Sequence, residues 1–170
     1  MTAVAGASVL AADFNTFVRD NLNQTAPAIA TSVSSWFPHS GVNTLAERFP
    51  TQNNATGAST TTSTTYGNLA DTVTTSVTVT TGVLALVLLY SNLNNSAGGN
   101  RTWCAYDISG ATTRAADDTR SVNHSSAAGM RWGATFLESL NAGSNTFTMR
   151  YRVTAGTGTF SARRIGVIPF

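Results

Sequence analysis

Two histidines, one cysteine and eight carboxylates are the residues of this chain to weigh first for acid–base, thiol or metal chemistry. His39 and His124 lack a second His or Cys at the spacing a zinc site needs. His124 lies near Asp117 and Asp118 in a polar stretch, where an exposed loop histidine is the expectation. Cys104 follows Trp103 in a strand-like segment and reads as a buried, inert thiol rather than a nucleophile. Asp107 and Glu138 have the residue types of a glycosidase carboxylate pair, but nothing in their spacing joins them. Each reads as a strand-end or solvent-face residue. Gly156-Thr-Gly-Thr-Phe160 lacks the lysine and helix of a phosphate loop. Asn-X-Ser/Thr triplets, as at Asn54, Asn100 and Asn123, arise by chance in so Asn- and Thr-rich a chain. The sequence therefore predicts no catalytic, cofactor-binding or metal-binding residue.

Composition points elsewhere. Only 11% of the 170 residues are charged, well under the usual quarter, while 42% are hydrophobic. Thr, Ser, Asn, Ala and Gly make up the difference, a mixture suited to strands and turns. All ten basic residues are Arg, and they are scattered, so a net charge of +2 gives no nucleic-acid footprint. A single cysteine excludes an internal disulfide. Met1–Leu10 lacks the basic start and apolar core of a signal peptide, and Val83–Tyr90 is too short to span a bilayer. The expectation is a protein made in a cytoplasm, with neither membrane nor nucleic acid as partner.

The elements that would position any site fall into three parts. In residues 8–22, Phe14, Phe17, Val18 and Leu22 form one apolar stripe at helical spacing, with Asp13 as N-cap and Arg19 beside the stripe. Such a helix is too short to stand alone in water and must pack on something. Residues 28–50 read as extended chain or short strands, with Trp36 and Phe37 as apolar anchors. Residues 1–50 thus form an attachment arm whose interface residues are Phe14, Phe17, Val18, Arg19, Leu22, Trp36 and Phe37. Residues 51–65 hold no large apolar side chain and read as a polar linker.

From residue 66 the apolar period becomes two. Val73, Val77 and Val79 alternate with threonine, and residues 83–90 form an apolar run expected to be buried on both faces. Cys104, Tyr106 and Ile108 share one face of a strand; Trp132, Ala134 and Phe136 share another. Phe147, Met149, Tyr151 and Val153 alternate with Arg150 and Arg152 in a clear amphipathic strand. Residues 110–129 are a long polar excursion. The class predicted for 66–170 is an antiparallel β-sandwich, jelly-roll-like. Ile165, Val167, Ile168 and Phe170 at the end of the chain form a candidate subunit interface.

Residues 11–27, AADFNTFVRDNLNQTAP, resemble a motif near the start of tailed-phage virion proteins, especially those of phages that infect actinobacteria. GVNTLAERFP (41–50), the Thr-rich stretch and an all-β C-terminal part also look like that group. Its members are capsid decoration, head-fibre and minor tail proteins. The resemblance covers sequence over 11–27 and layout alone beyond residue 66. It implies a virion surface location, a homotrimer, and attachment to the major capsid protein or another virion protein. Some relatives carry collagen-like stalks; this chain has no Gly-X-Y run, which favours a compact protein close to the particle.

Three functions compete at this stage. The first is a capsid decoration protein that clamps the phage head through its arm. The second is a minor tail or fibre protein whose β-domain binds a host cell-wall glycan, with Trp103 or Trp132 stacking on sugar. The third is a wall hydrolase built on Asp107 and Glu138.

Overall fold

Val77 and Val79 alternate with threonines along Ser76–Thr81, and that alternation makes a strand with one buried and one wet face. The computed structural model describes residues 10–19, 22, 25, 29–42, 44–70 and 74–170. The chain divides into two compact units, 1–47 and 48–170.

In the first unit, α1 is a single turn, Ala11–Phe14, continued by a wider turn over Asn15–Arg19. The expected helix capped by Asp13 is displaced: Leu10 stands at the cap position and supplies no side-chain bond. The Thr16 hydroxyl instead donates to the Ala12 carbonyl at 2.9 Å, a back-bond that competes with regular helix geometry. Strands β1 (His39–Gly41) and β2 (Thr44–Leu45) form a small hairpin. Glu47 ties the unit together, accepting from the Thr31 amide at 2.9 Å and its hydroxyl at 2.6 Å. These bonds hold the Glu47 carboxyl down at about 2.

The second unit is a β-sandwich. One sheet has the order β5-β10-β7-β8, where β5 is Ser76–Thr81, β7 Thr102–Gly110, β8 Ser121–His124 and β10 Gly143–Val153. The other has the order β3-β11-β6-β9, with β3 at Thr51–Ala55, β6 Leu84–Asn95, β9 Met130–Ser139 and β11 Gly158–Pro169. Strand β4 (Ser59–Thr61) also pairs with β11. Every pairing is antiparallel. Along the chain, β5, β6, β7 and then β8, β9, β10, β11 pass alternately from one sheet to the other, and only β3-β4 and β7-β8 stay in place. This winding is a jelly roll.

Val77, Tyr106, Phe147, Met149 and Tyr151 of the first sheet meet Val87, Leu89, Leu93, Phe160 and Ile165 of the second. Tyr151 and Phe160 meet edge to face across the core, centroids 4.8 Å apart. Each of these large side chains contributes about 1.5–3 kcal/mol by leaving water. Gly110, at φ +108°, ends β7 where a Cβ would lie 2.3 Å from the Ser144 carbonyl oxygen, so only glycine fits there.

Three expectations change. The polar linker at 51–65 carries β3 and β4, and Ala55 is buried in the sheet. Threonine favours strands, and an edge strand with a wet outer face needs no large apolar residue. The run 83–90 is not buried on both faces: Ala85, Val87 and Leu89 enter the core, while Leu84 and Leu88 face outward and are exposed. The polar excursion 110–129 contains a short helical turn, Asp118–Arg120, and β8.

Candidate interaction surface

Strand β6 supplies the centre of the surface because its apolar run exceeds what the core can take. Leu84, Leu86, Leu88 and Tyr90 all point away from the core by strand parity. Leu86 lies directly opposite Leu137 of β9 on one side and Ile168 of β11 on the other. Leu88 lies opposite Thr135 and Gly166, and Tyr90 opposite Gly133 and Arg164. Directly opposed residues share a face, so these side chains form one outward patch, apolar at one end. Leu137 is 66% exposed and Leu88 42%. Contiguous exposed apolar side chains on a folded domain mark a contact surface.

Beyond Leu88 the face becomes cationic. A groove of about 650 Å³ is lined by Asn54, Leu88, Tyr90, Arg131 and Arg164. Gly133 leaves room for the Tyr90 ring, since a Cβ there would stand 3.3 Å from Tyr90 Cδ2. The described carboxylates of this unit are taken up elsewhere. Asp107 pairs with Arg150 at 2.6 Å, Asp117 with Arg120 at 2.7 Å and Asp118 with Arg152 at 2.5 Å. Among the described residues, Arg101, Arg131 and Arg164 face no carboxylate at ion-pair distance.

Glu138 is the exception to the wet outer strand. It points inward from β9, 2% exposed, where it accepts from the Tyr106 hydroxyl and from Arg114 Nη1. Arg120 Nη1 stands 3.7 Å away, and the Arg120 guanidinium lies 5.7 Å from the Tyr106 ring centre. Asp117 holds Arg120 through Nε at 3.1 Å and caps the short helical turn through the Thr119 amide at 2.8 Å. The Thr119 hydroxyl and Arg120 hold the Asp117 carboxyl down at about 2. Burial, reinforced by the Glu138 carboxylate, pushes the Tyr106 phenol well above its ordinary value. The cluster ties the 111–120 loop to β9 across the sandwich.

These positions correct the sequence reading of Glu138 as a solvent-face residue. Its parity with Trp132, Ala134 and Phe136 was the available signal. Asp107 sits on the outer face of the other sheet, so the two carboxylates are not brought together. Cys104 is fully buried in the core, where desolvation pushes its thiol far up. Among the described residues, no three of His, Cys, Asp and Glu cluster closely enough to hold a metal ion.

The two tryptophans differ. Trp103 is covered by Arg101 and Arg152, whose guanidinium carbons lie 5.6 Å and 4.8 Å from its ring centre. Trp132 is 43% exposed and faces the His124 ring at 6.2 Å. Between them, β8 and β9 leave a cleft of about 480 Å³ at the edge of the sandwich, lined by Arg101, Ser121, Asn123, His124, Ser125 and Trp132.

No family model and no curated protein matches the chain. Solved structures do. The Eiger TNF of S. frugiperda superposes with a TM-score of 0.51 at 13% identity, over 72% of this chain and 92% of that one. A chain of infectious bursal disease virus, Gt strain, gives a TM-score of 0.47 at 10% identity, over 76% of this chain and 37% of that one. The fold of the second unit is a jelly roll, preceded in the chain by the small unit that holds the α1 turn and the β1–β2 hairpin.

Of the arm residues, Val18, Arg19 and Leu22 are exposed, and Trp36 and Phe37 are half-buried. The side chains of Phe14 and Phe17 lie outside the described residues. The candidate subunit interface at the end of the chain splits. Ile165 and Val167, at 0% and 1% exposure, belong to the core of their own domain. Ile168 and Phe170 are half-buried, and Ile168 joins the outward patch beside Leu86. The four apolar residues do not form one set, because strand parity sends Ile165 and Val167 to one face and Ile168 to the other. Leu84, Leu88 and Leu137 were missed as surface residues for the same reason: an unbroken apolar run hides which parity faces water.

Proposed function

We propose that this chain is a virion structural protein, an accessory protein that decorates a phage head. Residues 1–50 grip the major capsid protein or another virion protein, and the β-domains associate as a homotrimer across the Leu86 patch. The observation that carries the reading is the exposed apolar row of Leu84, Leu88 and Leu137 on a domain whose core is already filled. The apolar end of the patch bears no charge, so a second copy can cover it without stranding an ion away from water. Exposed Val18 and Leu22 give the first unit its own apolar contact. The phage resemblance of residues 11–27 supplies the particle and the threefold number.

In this reading the action is mechanical and no bond is made or broken. Apolar area buried between neighbouring capsomers contributes about 25 cal/mol per Å², less the cost of ordering the arm. The test is particle composition and arm deletion together. Mass spectrometry of purified particles should find many copies per head. A chain lacking residues 1–27 should stay folded and fail to bind particles. A handful of copies, or full binding by the truncated chain, would overturn the assignment.

A further inference from the structure

We propose that the cleft between β8 and β9 binds an anionic glycan, a sugar ring carrying a carboxylate or a phosphate. The site stands apart from the particle role and from the Leu86 patch. Trp132 points to the opposite side of β9 from Leu137, and its ring opens onto the cleft.

The argument begins with polar groups that the fold leaves unused. The two fully buried asparagines are bonded inside the protein: Asn145 Nδ2 donates to Thr81 at 2.8 Å, and Asn95 Nδ2 to Ala155 at 3.0 Å. In the cleft, the Asn123 side-chain amide, the Ser125 hydroxyl and the Trp132 indole N–H have no protein partner among the described residues. The His124 ring is held by one hydrogen bond, Nε2 to the Ala128 carbonyl at 3.1 Å, which leaves Nδ1 without a protein partner among the described residues. A half-exposed aromatic ring surrounded by free donors and acceptors matches a pyranose, whose C–H face stacks on the ring while its hydroxyls bond the rim. A cleft of about 480 Å³ has the size of a small-ligand site.

Arg101 sets the charge preference. It lines the cleft, is exposed, and faces no described carboxylate; its stacking on Trp103 at 5.6 Å restrains it without neutralising it. No carboxylate lines the cleft. An anionic group on the sugar would therefore meet a guanidinium suited to bidentate bonding and encounter no repulsion.

Calorimetry on the full chain with three probes tests this: maltotriose, trigalacturonate and poly(glycerol phosphate). Saturable binding is expected for one of the two anionic probes, the identity of which separates carboxylate from phosphate, with little for maltotriose. Trp132→Ala should weaken it at least tenfold, and so should Arg101→Gln. Arg164→Gln, on the outer face, should leave it unchanged. Trp132 is an exposed edge-strand residue, so thermal unfolding of the variants verifies that the fold survives. Absence of binding to all three probes would overturn the site. So would equal affinity for maltotriose, undiminished binding in the Trp132 and Arg101 variants, or equal weakening by Arg164→Gln.

Discussion

Arg120 Nη1 stands 3.7 Å from Glu138 Oε1, in the space between the sheets. The pair joins the turn before β8 to β9, and Arg114 adds a second cation to the same carboxylate. A buried ion cluster is costly to break on one side, because the remaining charges keep their desolvation penalty. Glu138→Ala should therefore destabilise the domain by about 3–5 kcal/mol. Denaturant unfolding measures this, and a loss under about 1 kcal/mol would show that water reaches the arginines.

The paired strands β11 and β6 send side chains to the core and to the surface, which gives opposite outcomes at Ile165 and Leu88. Ile165→Ala should cost about 2–5 kcal/mol as a buried large-to-small change. Leu88→Arg, at a position already in water, should change unfolding by no more than about 0.5 kcal/mol but abolish self-association. Sedimentation velocity on Leu88→Arg, alongside wild type, reads the second effect. A folded Leu88→Arg protein with unchanged oligomeric state would remove the Leu86 patch from the interface.

Glu47 and Asp117 should govern the acid limb of stability. Both carboxyls are held at about 2 in the folded chain, below the ordinary carboxylate value near 4. A depressed folded pKa contributes stability that is present above the unfolded value and lost as the pH falls through the folded one. Loosening of the Thr31–Glu47 contacts and of the 117–120 turn is therefore expected between about pH 4 and pH 2. Carboxyl NMR titration measures both groups. Thr31→Ala should return Glu47 toward its ordinary value, because the Thr31 hydroxyl is the largest cause of its shift.

Ala162 is held at φ +46° in an irregularity of β11 between Ser161 and Arg164. The extra residue reverses the parity of the strand, so that Phe160 and Arg163 both point inward. A left-handed alanine costs about 1–2 kcal/mol, and glycine relieves it while losing about 0.5–1 kcal/mol of unfolded-state entropy. Ala162→Gly should raise stability by about 0.5 kcal/mol, and Ala162→Val should lower it. A lower melting temperature for the glycine variant would contradict the assignment of strain.

Much of this protein could be read from its residues alone. Period-two alternation at Val77–Val79 and Phe147–Val153 is a local property, and it identified strands, their inward faces and the antiparallel sandwich before any contact was known. What lay beyond it was decided between strands. The threonines of 51–61 carry no core-forming signal, and they became strands because β11 offered an edge to pair with. The apolar run of β6 has no polar residue to mark its wet face, so only its place beside Leu137 and Ile168 settled which leucines stay outside. Glu138 and Arg120 are 18 residues apart in sequence and meet only because β9 packs over the turn before β8. Side-chain alternation is written in consecutive residues, whereas strand order, bulges and charge pairing depend on which distant segments the closed sandwich brings together.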